Sequence, residues 1–280
     1  MASAYHHGVT TDPIWTDDLL RAPHEVADKA SRVRSMFNAI APRYERTNTI
    51  CSGGRDAYWR TRAVQLACVR PDDDALDVAC GTGDLTRAFA RAGSRSVTGC
   101  DFAHEMLTRA AQASGDAPRW VEADALRLPF LDASFSLVSC AFGVRNFVDL
   151  DAGLTEMHRV LKPGGRVVIL EFARPKSLFI RAGYEFYANR IMPRAASWIS
   201  GDQSGAYRYL PRSVVSFLSA DQMGERVKKA GFATFSATPL TFGVANVYRA
   251  WKAWDQSFEH VARHESYASF KCRPARASSA

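Results

Sequence analysis

The sequence predicts an α/β fold: a seven-stranded, mostly parallel sheet with helices on both faces, an antiparallel edge hairpin and a helical lid. Three observations lead there. Short apolar segments alternate strictly with amphipathic ones over residues 75–172, the rhythm of successive βα units. Those apolar segments are near-continuous, as strands buried on both faces are. Two later segments, 232–240 and 244–251, alternate around Gly243 and read as a hairpin.

The elements follow in order. Residues 1–24 mix Thr, Asp, Pro and His without periodicity and read as a loose arm. From Glu25 the pattern turns helical, with Val33, Met36, Phe37 and Ile40 at i, i+3, i+4 and i+7, and Tyr44 continuing the stripe. Pro42 and Ser52-Gly53-Gly54 punctuate it. A second helix over 56–69 puts Trp59, Ala63, Leu66 and Ala67 on one face. Strands are read at 75–79, 96–100, 120–123, 135–140 and 166–171, and helices at 85–92, 105–113 and 150–161. Gly93 is placed to end the first of those helices, and Pro163-Gly164-Gly165 to stop the last. After Pro175 the rhythm breaks. Residues 178–200 are aromatic and aliphatic but studded with Arg181, Arg190 and Arg194, as helices over the mouth of the sheet would be. A helix over 219–230 ends at Gly231. The chain thus divides into an arm (1–24), one domain (25–254) and a polar tail (255–280). Within the domain lie N-terminal helices (25–70), the βα core (75–172), lid helices (175–230) and the edge hairpin (232–252).

Composition narrows the function classes. In 280 residues, 47% hydrophobic and 23% charged content excludes disorder and low-complexity polymer. No run of 18 apolar residues exists to span a membrane. Met1 to His24 lacks an apolar core behind a basic flank, so a secretory signal is not expected and the location is read as cytoplasmic. The net charge of +7 suits nucleic acid, an anionic membrane surface or plain solubility. With neither an RNA-binding motif nor an interleaved aromatic-basic stripe, no nucleic-acid partner is expected. The six cysteines form no C-x-x-C pair and no zinc-type cluster, so free thiols and no metal are expected.

The loop Asp77-Val78-Ala79-Cys80-Gly81-Thr82-Gly83-Asp84 leaves the first strand where open α/β sheets bind ligands. Gly81 and Gly83 permit backbone angles and a close ligand approach that a Cβ would block. Asp101, ending the second strand, is placed for two ribose hydroxyls. A nicotinamide dinucleotide would use the same acid, but its G-x-G-x-x-G fingerprint fails at Thr86. Asp84 at the helix start is also an awkward neighbour for a pyrophosphate. A cationic, phosphate-free nucleoside fits better, and S-adenosylmethionine is one. Loop, ribose acid, strand order and hairpin together give a Rossmann-like class I methyltransferase. Asp124 could accept from an adenine amino group and Ala125 offer its N–H to the ring; a helix N-cap is the other role open to Asp124.

Several stretches then resemble one family, the ubiquinone/menaquinone biosynthesis C-methyltransferases (UbiE/MenG). They are Phe37-Asn38-Ala39-Ile40-Ala41-Pro42-Arg43-Tyr44, Asp77 to Leu85, Phe142-Gly143-Val144-Arg145-Asn146, Arg159 to Gly165 continuing to Leu170-Glu171-Phe172, and Tyr207-Arg208-Tyr209-Leu210 with Ser213 and Phe217. The likeness covers roughly residues 30–252. It departs at Glu45 and Thr47, where the family runs Asp-x-Met, at Asp56 where His is usual, and at Ala141 and Ala173 where Ser is frequent.

The resemblance implies methyl transfer from S-adenosylmethionine to a ring carbon of a prenylated quinol, demethylmenaquinol first. A ubiquinone-pathway benzoquinol, or another small or lipid acceptor, is the alternative. It implies cofactor contacts at Asp77, Gly81, Thr82, Gly83, Asp101, Asp124, Ala125 and Ala141. It places Arg145, Asn146 and Tyr44 around the acceptor, with Arg145 stabilising a phenolate or orienting water because its pKa, above ~12, bars it from acting as a free base. An ion pair with Asp149 or Glu171 is the other role open to Arg145, and a core position the other for Tyr44. His158 reads as structural. The prenyl tail implies peripheral contact with a membrane, for which 178–200 is the candidate surface. A homodimer is left open.

Overall fold

The computed structural model describes residues 14–115, 117–175, 177–187, 190 and 205–254. One seven-stranded sheet organises them. Its strands are β1 (Asp74–Val78), β2 (Ser96–Asp101), β3 (Arg119–Glu122), β4 (Phe135–Ala141), β5 (Leu161–Phe172), β6 (Phe232–Leu240) and β7 (Ala245–Lys252). They lie in the order β3-β2-β1-β4-β5-β7-β6. The first five pair in parallel, and β7 slots antiparallel between β5 and β6, as the hairpin reading anticipates. Six of the seven strands stand within a residue of their sequence positions, and β5 starts at Leu161, five residues before the expected Arg166.

The sheet buries both faces because neighbouring residues of one strand serve opposite sides. Leu76, Val138 and Ile169 pack with Leu154 and Met157 of α6 (Leu150–Val160) and with Val227 of the helix Ala220–Lys229. Ala75, Leu137 and Val168 turn the other way, onto Trp59 and Ala63 of α3 (Arg55–Ala67) and Phe89 of α4 (Asp84–Arg91). Side-chain caps set some helix starts: Asp149 accepts from the Ala152 N–H, and Ser219 and Gln222 form a reciprocal capping box.

Two expectations need correction. Pro163-Gly164-Gly165 does not stop the helix; α6 ends at Val160 and the chain is already strand at Leu161. The run is a bulge within β5, where the register shifts from Phe135 opposite Leu161 to Leu137 opposite Arg166. The described part of the expected loose arm, residues 14–24, is packed. Trp15 is fully buried and stacks on Tyr209 of the helix Ala206–Val215, with ring centroids 4.2 Å apart. Leu20 joins them against α1 (Lys29–Ile40). Two large apolar side chains in a polar segment were the only signal, and they settle it by their buried area.

Of the lid region, α7 (Leu178–Phe186) and the helix Ala206–Val215 are described. Residues 188–189 and 191–204 of the expected interfacial stretch lie outside the described residues, as do residues 1–13 and the tail from 255.

Candidate active site

The strand order reverses between β1 and β4, and the loop after β1 opens into that crevice. Its backbone turns sharply: Ala79, Gly81 and Gly83 all have positive φ (53°, 56° and 86°). The Gly81 N–H donates to Asp101 Oδ2 at 2.8 Å and the Ala103 N–H to Oδ1 at 2.9 Å, which aims the carboxylate along the crevice. Beneath the loop, Asp77 accepts from Thr86 Oγ1 (2.6 Å) and Ser139 Oγ (2.7 Å). Burial nevertheless pushes its carboxyl up to about 6.

Two cavities meet at this loop. The first, about 80 Å³, runs from Asp101 along Phe102 and Met106 to Asp124 and Ala125. The second, about 280 Å³, holds Asp77, Thr82, Trp59, Phe172 and Arg145. Tyr44, Ala79, Gly81, Ala141 and Phe142 line both, so they form the shared wall. Gly83 lines neither. A Cβ there would stand 2.4 Å from the Trp120 ring, so this glycine serves helix-to-strand packing. Asp124 is exposed, and its Oδ1 accepts from the Leu126 N–H at 2.9 Å; it caps a turn and also borders the cavity.

The first cavity suits a nucleoside without phosphate. Asp101 faces it as an acceptor for hydroxyls, apolar side chains flank a flat slot, and its lining holds two carboxylates and neither lysine nor arginine. Asp84, at the start of α4, is ion-paired to Arg87 (2.7 Å) and Arg60 (3.1 Å), which leaves the helix N-terminus poorly disposed to a pyrophosphate. S-adenosylmethionine fits these residues.

The second cavity is an aromatic slot with one charged wall. Phe142 and Phe172 lie 4.6 Å apart and Trp59 stands edge-on to Phe172 at 5.7 Å. Trp59 Nε1 donates to Thr241 Oγ1 at 2.7 Å, tying α3 to the hairpin. Arg145 comes from the short turn Val144–Asn146 after β4. Its Nη1 donates to Glu171 Oε1 and to the Phe142 carbonyl, both at 2.6 Å, and its guanidinium lies over the Phe172 ring. Burial opposes its charge, Glu171 more than restores it, and the guanidinium stays protonated. The ion pair with Glu171 and a place in the cavity wall therefore coexist. Asn146 faces the first cavity, giving Nδ2 to the Phe142 carbonyl and accepting from Tyr209 Oη at 3.0 Å. Tyr44, opening α2 (Tyr44–Cys51), sits between the cavities. Burial pushes its phenol up, while the Asn48 side chain, Arg145 and Arg60 pull the other way. Asp56 lies on the charged wall, accepting from Ser52 Oγ (2.8 Å) and paired with Arg60 (2.6 Å).

Sequence reasoning missed the support behind Arg145. Lys29 is buried and donates Nζ to the carbonyls of Arg145 (3.2 Å) and Phe147 (2.5 Å). His24 lies 3.4 Å from the same ammonium and bonds the Ser213 carbonyl, while Ser213 Oγ faces Arg145 Nε at 3.4 Å. Burial, with Arg145 nearby, pulls the Lys29 ammonium down to about 8. A signal existed: Lys29 lies four residues before Val33 on the stripe that continues through Met36 and Ile40. His158 is elsewhere, edge-on to Phe232 at 5.0 Å in the core. Cys80, Cys100 and Cys140 are free thiols that burial pushes up, a setting for small apolar side chains rather than nucleophiles.

Known proteins give the same answer as the geometry. Among solved structures, a possible histamine N-methyltransferase from Thermotoga maritima matches with a TM-score of 0.58 at 19% identity, covering 78% of this chain and 98% of that one. Magnesium protoporphyrin IX methyltransferase from Synechocystis, with bound SAM, matches at 0.55 and 17%, covering 82% and 99%. These likenesses establish the fold. In sequence, the demethylmenaquinone methyltransferase of Deinococcus radiodurans is 43% identical over 79% of this chain and 92% of its own. A ubiquinone/menaquinone biosynthesis C-methyltransferase of Geotalea daltonii is 41% identical over 81% and 99%. The family model for the ubiE/COQ5 methyltransferases matches residues 25–252. The chain belongs to the ubiE/COQ5 methyltransferase family, and S-adenosylmethionine is its methyl donor.

Proposed function

We propose that this protein methylates a ring carbon of a prenylated quinol, with demethylmenaquinol as the leading acceptor. The observation that carries the reading is the aromatic slot of Trp59, Phe142 and Phe172, with Arg145 on its wall, joined to the nucleoside cavity through Tyr44 and Ala141. The names of the relatives from Deinococcus and Geotalea supply the acceptor class.

Bound S-adenosylmethionine supplies an electrophilic methyl group. Asp101 would take the ribose hydroxyls, Asp124 and Ala125 the adenine edge, and Gly81 and Thr82 the methionyl end beside Asp77. Holding two reactants in adjoining cavities accounts for much of the rate in a displacement of this kind. The rest concerns the acceptor's charge. A quinol carbon becomes a strong nucleophile only after a ring hydroxyl loses its proton, and the carbon sheds its own proton after the new bond forms. Both protons pass to a separate base or to water; Arg145 takes neither, since Glu171 keeps it charged. It stabilises the phenolate oxygen instead, an effect worth about 3 kcal/mol for one well-placed donor. Tyr44, at the junction, orients the acceptor's oxygens, and Asn146 acts from the nucleoside side by holding the Phe142 carbonyl that Arg145 also bonds.

A polyprenyl tail resides in a bilayer, so peripheral membrane contact is part of this reading. No helix among the described residues is long and apolar enough to cross a membrane. Both cavities are lined by one chain, and the reading requires no second copy. The test is methyl transfer to short-chain prenylated naphthoquinol and benzoquinol, held reduced under anaerobic conditions. Faster turnover of the naphthoquinol is the expected result. Turnover of neither, with the methyl donor bound normally, would reject a quinol acceptor.

A further inference from the structure

Three exposed aromatic side chains, from three separate elements, are each the sequence neighbour of a wall residue of the second cavity. Phe242, 81% exposed, follows Thr241 at the tip of the β6–β7 hairpin. Phe186, 63% exposed, precedes Tyr187 at the end of α7. Tyr58, 46% exposed, precedes Trp59 on α3. The tip also approaches the segment that leads into α7, since a Cβ on Gly243 would stand 3.5 Å from Pro175 Cα. The elements that wall the acceptor cavity thus also carry a rim of exposed aromatic side chains.

Two features separate this rim from scattered surface apolar residues. The outward face of α7 is Phe179, Ala182, Gly183 and Phe186, at i, i+3, i+4 and i+7, and all four are exposed. An ordinary surface helix places charged residues there. The hairpin tip, for its part, holds Thr241 and Phe242 at φ 45° and 57°, a left-handed conformation in which a β-branched residue is strained. That backbone sends the Phe242 ring outward.

Among the described residues the charge around α7 is positive: Arg174 and Arg190 are exposed and Arg181 half-buried, against Glu185 alone in the sequence of that helix. Arg55, exposed, stands at the cavity itself. An apolar rim within a basic surround is complementary to an anionic lipid surface, with rings reaching the acyl boundary and arginines the headgroups. We infer that the α7 face and the Phe242 hairpin tip dock on an anionic bilayer, with the acceptor cavity opening toward the lipid. That the docked face admits a prenylated acceptor rests on the function proposed above; the docking itself does not.

The experiment is cosedimentation of the full chain with phosphatidylglycerol/phosphatidylcholine vesicles in the absence of any acceptor. Wild type should bind anionic vesicles, bind pure phosphatidylcholine poorly, and be released by salt. Phe242→Ser, and separately the double variant Phe179→Ser with Phe186→Ser, should each weaken partitioning about tenfold. Thermal stability and methyl-donor affinity should hold, because neither variant touches a cavity wall. Absence of wild-type binding, or variants that bind as wild type does, would overturn the proposal. So would a dimer in sedimentation velocity that Phe242→Ser dissociates, which would give the face to a second copy. A failed quinol assay beside intact vesicle binding would leave docking standing, and the reverse result would leave the quinol reading standing.

Discussion

The two cavities share a wall but are built largely by different means. The nucleoside cavity is made mainly at the ends of adjacent parallel strands, by the β1–α4, β2–α5 (His104–Gln112), β3 and β4 loops, and Phe37 and Tyr44 close it from the N-terminal helices. Its shape follows from backbone angles at Ala79 and Gly81 and from Asp101, whose two oxygens are fixed by main-chain N–H groups. The acceptor cavity takes the β1–α4 loop as one wall only. Residues near 44–60, 141–145, 172, 187, 210–214 and 241–244 converge to form the rest, and its central charge, Arg145, is fixed by side chains and carbonyls far apart in sequence. A site made of backbone tolerates change around it; a site made of converging side chains depends on every strut. The first therefore binds its ligand under wide variation, and the second is where specificity drifts.

Removing Glu171 should break the comparison most severely. Glu171→Ala leaves Arg145 buried without its carboxylate, which should cost about 3–5 kcal/mol of folding free energy. Chemical denaturation reads this directly. The milder Arg145→Lys should keep the fold and the methyl-donor affinity while turnover falls roughly a hundredfold. Equal losses in donor affinity and turnover would mean that the two cavities do not divide the work.

On the other side, Asp101→Ala should weaken S-adenosylmethionine binding by about 2–3 kcal/mol in calorimetry, with the acceptor KM little changed. A change in acceptor KM of the same size would contradict the division.

Lys29 sharpens the comparison through pH. Its folded-state value, about 8, lies below the ordinary 10.5, so between those two values the unfolded chain binds more protons than the folded one. The burden of a buried ammonium is thus present in full below pH 8 and is relieved as pH rises toward 10.5. Lys29→Met should flatten the stability curve across that window. It should also lower kcat severalfold while sparing donor affinity, because the carbonyls of Arg145 and Phe147 lose their shared donor. Unchanged kcat would leave Lys29 a purely structural group.

The smallest effect is expected at Asp56, where the family usually has histidine. Asp56→His should shift acceptor KM a few-fold by freeing Arg60 from its 2.6 Å partner, and leave donor affinity as it was. A shift in donor affinity alone would move Arg60 to the methyl-donor side.

What the sequence revealed follows the same divide. Period and punctuation placed the strands apart from the first part of β5, because parallel βα units repeat a local pattern that backbone hydrogen bonding dictates. Asp101 and Gly81 were legible from spacing; Arg145, Asn146 and Tyr44 came only through resemblance, since no spacing rule brings 44 beside 145. Gly83 looked like a ligand contact but makes room for Trp120, a contact across two strands that no loop motif encodes. The burial of Trp15 and Lys29 left only a faint local signal for a related reason: each is defined by a partner more than 100 residues away. The Lys162-Pro163-Gly164-Gly165 run signalled a break in helix correctly, yet the break is a bulge inside β5, because β4 offers it a partner.

The most direct test of the account is methyl transfer from labelled S-adenosylmethionine into lipid extracts of cells lacking their own quinone methylase, with products located by mass spectrometry. Label on the ring of menaquinol, appearing roughly a hundredfold more slowly with Arg145→Lys but restored to full extent by saturating donor in Asp101→Ala, is the predicted result. Normal donor binding with label on no quinol, or label on quinol that Arg145→Lys leaves untouched, would contradict it.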